Sequence, residues 1–301
     1  MPGSRYLFQT LLPVLLLAWG AAAVAEAPRR VVSINLCTDQ LLLMLADPAQ
    51  VASVSRLARS PENSFVAAQA MGYPVNHARP EEILALRADL VLASEHTSAR
   101  LVNALQGVGL RVERIKGGKD LEGIVAGIRR LATLLHRKAE GEALVAGMLR
   151  RLEAQSQVEG QRPKAIFYQP RGYTSGRGTL QDLALGLAGW RNPAAEAGVE
   201  GYRPVDLERV LSWQPDVIFT SVAEYNGGSV AERFTNHPAL IRMLAGRKPW
   251  KMPYKYWICA GPMVVDAVER LRRARDAIAL SGSGEGEGSM AATSAIVEEA
   301  R

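Results

Sequence analysis

The sequence predicts an α/β protein: two parallel-sheet lobes joined by a long rigid backbone helix, with a ligand cleft between the lobes. Three observations predict it. Short β-branched runs alternate with amphipathic helical stretches, the order that yields a parallel sheet covered on both faces. One helix–turn–strand unit recurs 127 residues later without a gap. Between its two copies lies a long stretch with a 3.6-residue apolar period.

The first strand is Arg30-Val31-Val32-Ser33-Ile34-Asn35, and Thr38 is placed to cap a helix carrying Leu41 to Leu45. Further strands are expected at 51–55, 90–93 and 112–115, with helices at about 80–88 and 98–107. The pattern restarts at Ala165-Ile166-Phe167-Tyr168, followed by strands near 217–220 and 250–253 and a last helix over 263–279. The domain division is therefore a first lobe at 29–118, connecting helices at 119–160 and a second lobe at 161–280.

The repeat sharpens this division. Glu81-Glu82-Ile83-Leu84-Ala85-Leu86-Arg87-Ala88-Asp89-Leu90-Val91-Leu92-Ala93-Ser94 lies over Glu208-Arg209-Val210-Leu211-Ser212-Trp213-Gln214-Pro215-Asp216-Val217-Ile218-Phe219-Thr220-Ser221. Any helix–turn–strand unit shares the apolar pattern. The Glu, Asp and Ser at fixed places point instead to duplication of a lobe. In the connection, Leu121, Ile124, Val125, Ile128, Leu131, Ala132 and Leu135 keep helical period behind Asp120 as N-cap. A second helix from Lys138 to about Gln157 would span about 30 Å at 1.5 Å per residue. Lobes joined so rigidly should move little relative to each other.

The ends read differently. Residues 1–25 have the form of a cleavable secretory signal: Arg5, an apolar core from Leu11 to Trp19, and Ala23-Val24-Ala25 as the cleavage site. This places the mature chain in the periplasm. Residues 281–301 open with Gly/Ser/Glu low complexity and are expected to be a flexible tail. Composition narrows the function. The net charge is +6 with no long basic run, which excludes a nucleic-acid partner, and the four histidines show no one-turn pair for a helical metal site.

In open parallel sheets, ligands bind beyond the carboxyl ends of the strands. The loops there carry Asn35, His96 in Ser94-Glu95-His96-Thr97, Tyr173 and Arg177 in the loop after Tyr168, and Tyr256 and Trp257 after the last strand. Aromatic and cationic side chains in such loops suit a large, partly planar or anionic ligand, through stacking and charge-assisted hydrogen bonds.

With these residues in place, the chain over 29–280 resembles the periplasmic substrate-binding proteins of iron-complex and cobalamin ABC importers. Arg30-Val31-Val32-Ser33 with Thr38-Asp39 is similar to that family's first strand and helix start, with Asp39 where the family has Glu. Glu81 and Glu208 resemble the paired acidic residues that dock on arginines of the permease. Tyr173-Thr174-Ser175-Gly176-Arg177 and Gly189-Trp190-Arg191-Asn192 resemble the cobalamin-binding member, as does Ala260-Gly261-Pro262, which puts Tyr256 and Trp257 at its ligand-contacting aromatic positions. The first-lobe aromatics of that member are replaced by His77 and His96. The resemblance implies a binding protein rather than an enzyme. It would act as a monomer with no cofactor of its own, and carry a ferric siderophore, heme or cobalamin to a permease and ATPase complex. It would meet the membrane only through the permease.

Two other readings stay open at this stage, an exported metal-dependent enzyme and a zinc or manganese receptor of similar architecture. Neither finds a Gly-x-Ser-x-Gly elbow or a converging ligand set. Cys37 and Cys259 fall in cleft loops of different lobes. They are either bridged, which requires Cα atoms within about 7 Å, or two separate thiols.

Overall fold

The computed structural model describes residues 26–153, 162–222, 237–244 and 249–283. The signal-like segment 1–25, the end of the connecting helix past 153 and the tail beyond 283 lie outside the described residues.

Lobe one contains β1 (Val31–Ser33), α1 (Leu36–Leu45), β2 (Val51–Ser55), α2 (Ala67–Ala70), β3 (Val75–Asn76), α3 (Pro80–Ala85), β4 (Leu90–Ser94), α4 (Ala99–Gly107) and β5 (Val112–Ile115). Its strands form one parallel sheet in the order β3-β2-β1-β4-β5. The order reverses direction at β1, the point where such sheets open a crevice at their carboxyl ends. Then follow α5 (Leu121–Leu134) and α6 (Lys138–Glu153).

Lobe two contains β6 (Ala165–Phe167), β7 (Tyr173–Ser175), α7 (Leu180–Leu187), α8 (Pro193–Glu196), β8 (Tyr202–Pro204), α9 (Leu207–Trp213), β9 (Val217–Val222), α10 (Pro238–Met243), β10 (Trp250–Pro253), α11 (Lys255–Ile258) and α12 (Val264–Ser283). The parallel sheet runs β10-β9-β6, and β7 and β8 form a separate antiparallel pair. The last helix continues through Ser283, so helix overruns the first three residues expected to be tail.

Both sheets bury both faces, and the strand period of two assigns each residue its side. Val31, Leu90 and Leu92 enter a core shared with α1 and α5, while Val32, Val91 and Ala93 pack with Ile83, Val102 and Leu105. In lobe two, Ala165, Phe167, Val217 and Phe219 join that same shared core, and Ile166, Tyr168 and Ile218 face the opposite layer with Val210 and Leu240. One apolar core therefore runs from lobe one through α5 and α6 into lobe two. Its fully buried side chains each stabilise by about 1.5–3 kcal/mol, and sliding one lobe on the other would have to break this packing.

The connection is a pair of packed helices, α5 and α6. A turn at Leu135–Arg137 reverses the chain, and Gly141 of α6 lies so near α5 that a Cβ there would sit 2.4 Å from the Ala132 Cβ. Across the other side, Arg151 pairs with Asp266 and Glu269 of α12 at 2.8 and 2.9 Å.

The repeat has a structural counterpart. Asp89 accepts from the Arg30 N–H just before β1, at 3.0 and 3.1 Å, and Asp216 accepts from the Lys164 N–H just before β6, at 2.7 Å. Each returns its own N–H to the same residue's carbonyl, at 3.1 and 2.9 Å. The shared aspartate ties each helix–strand turn to the opening strand of its lobe.

One local expectation is corrected, and three short strands were not foreseen. The cap of α1 is Asn35, in extended backbone, whose side chain accepts from the Cys37 N–H at 2.9 Å. Thr38 sits inside the helix and donates instead to the Asn35 carbonyl at 2.9 Å. The pieces β3, β7 and β8 are two or three residues long, too short to carry a periodic signal.

Candidate functional site: an interlobe cleft

The carboxyl ends of the two parallel sheets face each other, and the lobes meet at the floor between them. There Cys37, in the first turn of α1, is bonded to Cys259, just after α11, with Cα atoms 5.2 Å apart. Beside this bridge, Phe65 of lobe one meets Tyr256 of lobe two edge-to-face at 5.1 Å, and the Lys255 ammonium lies 5.2 Å from the Phe65 ring centre. The β5–α5 turn closes on the same segment: a Cβ on Gly117 would lie 3.7 Å from the Ala260 Cβ.

Open pockets flank this floor on either side. One, of about 400 Å³, follows the β2–β3 side and joins Arg59, Ser64, Phe65 and Met71 to Lys255. The other, of about 430 Å³, lies where β5 leads into α5 and joins Lys119 to Arg177, Glu200 and Arg203 of lobe two. Since β3 and β5 are opposite edges of the first sheet, the pockets mark the two ends of one cleft.

The lobe-two wall is built on the β7/β8 pair. Tyr173 lies opposite Pro204 and Ser175 opposite Tyr202, so Tyr173 and Tyr202 project from the same face. They are 43% and 51% exposed, and Tyr254, 48% exposed, is within electrostatic reach of Tyr202. The Tyr202 hydroxyl donates to Gln181 Oε1 at 2.6 Å, which fixes its ring. Exposed tyrosines this large on one wall are a stacking surface with polar tips.

Behind the lobe-one wall is a buried polar cluster. Asp39 accepts from the Ser55 N–H at 3.0 Å and the Ser55 hydroxyl at 2.5 Å, and burial pushes its carboxyl up to about 6 against the pull of the Ser33 and Ser55 hydrogen bonds. Nearby, Asn76 Nδ2 donates to the Ser33 carbonyl and to Ser53 Oγ, each at 2.9 Å. These bonds hold the ends of β1, β2 and β3 in register under the cleft.

The residues singled out from the sequence fall in different places. Tyr173 and Arg177 are exposed on lobe two, and Tyr256 is half-buried in the lobe contact. Asn35 is half-buried with its side-chain oxygen used as the α1 cap. His77 is exposed but engaged by Glu82, through its backbone N–H at 2.8 Å and Nδ1 at 3.2 Å. His96 is exposed in the turn after β4, its N–H donating to Ser94 Oγ at 3.2 Å.

Trp257 is 6% exposed and stands edge-on to Phe167 at 4.9 Å, packed in the shared core. Its indole N–H has no acceptor among the described residues.

Glu81 and Glu208 are exposed in the first turns of α3 and α9, the two helices related by the repeat, where helix dipoles favour a carboxylate. Sequence reasoning missed Tyr202, Tyr254, Phe65, Lys119 and Arg203. The run Gly201-Tyr202-Arg203-Pro204 held the signal for two of these, a Tyr–Arg pair between turn residues. Among the described residues no group of three or more His, Cys, Asp or Glu side chains is arranged to hold a metal ion, and no helix is long and apolar enough to cross a membrane.

Two α/β lobes fixed on a helical spine around an open, aromatic and cationic cleft define a solute-binding protein. The family model described as periplasmic binding protein matches residues 31–249, and the chain belongs to that family. Its fold is that of a periplasmic heme-binding protein from Pseudomonas aeruginosa (TM-score 0.65, 23% identity, 82% of this chain and 92% of that one). The heme-binding protein HutB of Vibrio cholerae is similar too (TM-score 0.70, 21% identity, 82% and 98%), as is the vitamin B12 binding protein BtuF of Vibrio cholerae (TM-score 0.61, 21% identity, 82% and 96%). Among curated proteins, the molybdate-binding protein MolA of Haemophilus influenzae is 27% identical over 187 residues, 54% of this chain. The chain spans about half the length of that relative, 52%.

Proposed function

We propose that the chain captures a metal chelate (a ferric siderophore, heme or cobalamin) in the periplasm and hands it to the permease and ATPase complex of an ABC importer. The observation that supports this reading is the set of exposed tyrosines, Tyr173, Tyr202 and Tyr254, on lobe two, with His77 and His96 exposed in the loops after β3 and β4 of lobe one. Stacking on phenol rings holds a broad ligand, while imidazole and phenol groups reach its polar rim or its metal. The named relatives support the class, since each is described as binding a metal-bearing solute.

Binding without turnover is the expected behaviour. Among the described residues no histidine ring is hydrogen-bonded to a serine or cysteine side chain: the His77 ring meets Glu82, and the His237 ring accepts from the Ala239 N–H as a helix cap. Delivery rests on Glu81 and Glu208, one carboxylate on each lobe, meeting cations of the permease. The protein works as a monomer with no cofactor of its own.

Titration of the mature chain with hemin, cyanocobalamin and a ferric hydroxamate, read by absorbance and calorimetry, tests this. One of the three should bind with micromolar or tighter affinity and remain chemically unchanged. Binding of none, or release of a converted product, overturns the reading.

A further inference from the structure

We propose that the pocket joining Lys119 to Arg177 and Arg203 is an anion-binding site, taking a carboxylate- or phosphate-type group of multiple negative oxygens. Three cations and one carboxylate, Glu200, line this space of about 430 Å³. None of the four is in an ion pair among the described residues. Two exposed arginines elsewhere in lobe two are engaged: Arg191 is bidentate to Glu196 at 2.8 Å, and Arg209 stacks over Trp213. Arg177 donates one N–H to the Ala195 carbonyl at 3.2 Å, its charge also reaches the half-buried Asp182 carboxyl, and further N–H groups of its fork remain for a ligand.

The frame behind these cations is rigid. Gly176 donates to Gly201 O at 2.8 Å, Arg177 to Val199 O at 2.8 Å, and Gly201 to Arg177 O at 2.9 Å. The two segments approach so closely that a Cβ on Gly176 would sit 2.1 Å from Val199 O, and only glycine fits there. The backbones carrying Arg177, Glu200 and Arg203 are thus fixed before any ligand arrives, which lowers the ordering cost of binding. Lys119 comes from the other side, at the end of lobe one. An anion in this space contacts both lobes at the edge of the cleft opposite Phe65 and Lys255. Two guanidinium forks with an ammonium match an oxygen-rich anion better than a neutral or cationic group. Glu200 sets the threshold: a singly charged ion gains little against it, and a multiply charged one gains more.

The site lies at one end of the cleft assigned to the chelate and rests on that reading, but simple anions test it separately. Calorimetric titration of the mature chain with sodium phosphate and, separately, sodium citrate should be run at constant ionic strength made up with chloride. We expect saturable binding that weakens at least tenfold in the double variant R177Q/R203Q and tightens severalfold in E200Q, with melting temperatures confirming that both variants fold. Citrate binding tighter than phosphate assigns the site to carboxylate arms of a larger solute, and the reverse order assigns it to a free tetrahedral anion. Either order keeps the site. Absence of saturable binding of both anions, unchanged affinity in R177Q/R203Q, or weaker binding in E200Q overturns it. A chain that binds phosphate but no chelate refutes the proposed function alone.

Discussion

Cys37 and Cys259 are bonded to each other across the two lobes, 222 residues apart in sequence and at the floor of the cleft. The bridge joins the first turn of α1 to the end of α11, so it fastens the Phe65–Tyr256 contact beside it and complements the α5–α6 spine on the far side of the shared core. The oxidising compartment implied by the family is where such a bond persists. Thiol titration of denatured, unreduced protein should find no free cysteine. In the chain-entropy picture, closing so long a loop stabilises by roughly 5 kcal/mol, so C37S/C259S should unfold at markedly lower urea concentration. Two free thiols in the wild-type protein would remove the bridge.

Asp39 gives the chain a pH dependence of defined sign. Burial raises its carboxyl from 3.8 in the unfolded chain to about 6. The folded state therefore holds the proton more tightly, and the resulting stability is present in full below pH 3.8 and lost as pH rises through about 6. Above that, the charged carboxylate costs on the order of 3 kcal/mol, at 1.36 kcal/mol per pK unit. D39N keeps an acceptor for the Ser55 N–H and removes the charge. Urea denaturation should show D39N more stable than wild type at pH 8, with the difference shrinking towards pH 4.5. An equal difference at both values contradicts this.

Much of the fold was legible because it is written in periods. Val31 and Val32, or Leu90 and Val91, face opposite layers as strand alternation requires, and the repeat already aligned Asp89 with Asp216, whose backbone bonds prove equivalent. The site was harder to read. An aromatic residue in a loop can face solvent or core, and no local pattern decides. Tyr256 and Trp257 are adjacent, yet the short helix α11 turns one to the lobe contact and the other onto Phe167. Tyr202 enters the wall only because β8 pairs with β7, a contact between segments 27 residues apart that two three-residue strands do not announce.

Tyr202 and Trp257 should accordingly fail in different ways. Y202A, like Y173A, removes a ring from the cleft wall and should weaken chelate binding by about 1–3 kcal/mol, the scale of an aromatic anchor, with little change in melting temperature. W257A should cost about 3–5 kcal/mol of stability, as a buried large-to-small change does. Calorimetry and thermal melts on the three variants separate the two effects. Full affinity in both tyrosine variants would place the ligand elsewhere.

Glu81 and Glu208 are tested by transport. Reversal of both to lysine should leave chelate affinity within about twofold and abolish uptake, because each lysine then faces a permease cation at a cost of several kcal/mol. Uptake at the wild-type rate would remove the docking role from this pair.

A metal chelate held in this cleft should be visible in the absorption spectrum of the protein purified from its native periplasm without added ligand. A visible band belonging to the bound solute, porphyrin, corrin or ferric chelate, should stay with the protein through gel filtration and leave on denaturation. A colourless protein that also stays colourless after incubation with an excess of each of these compounds and re-isolation would contradict it.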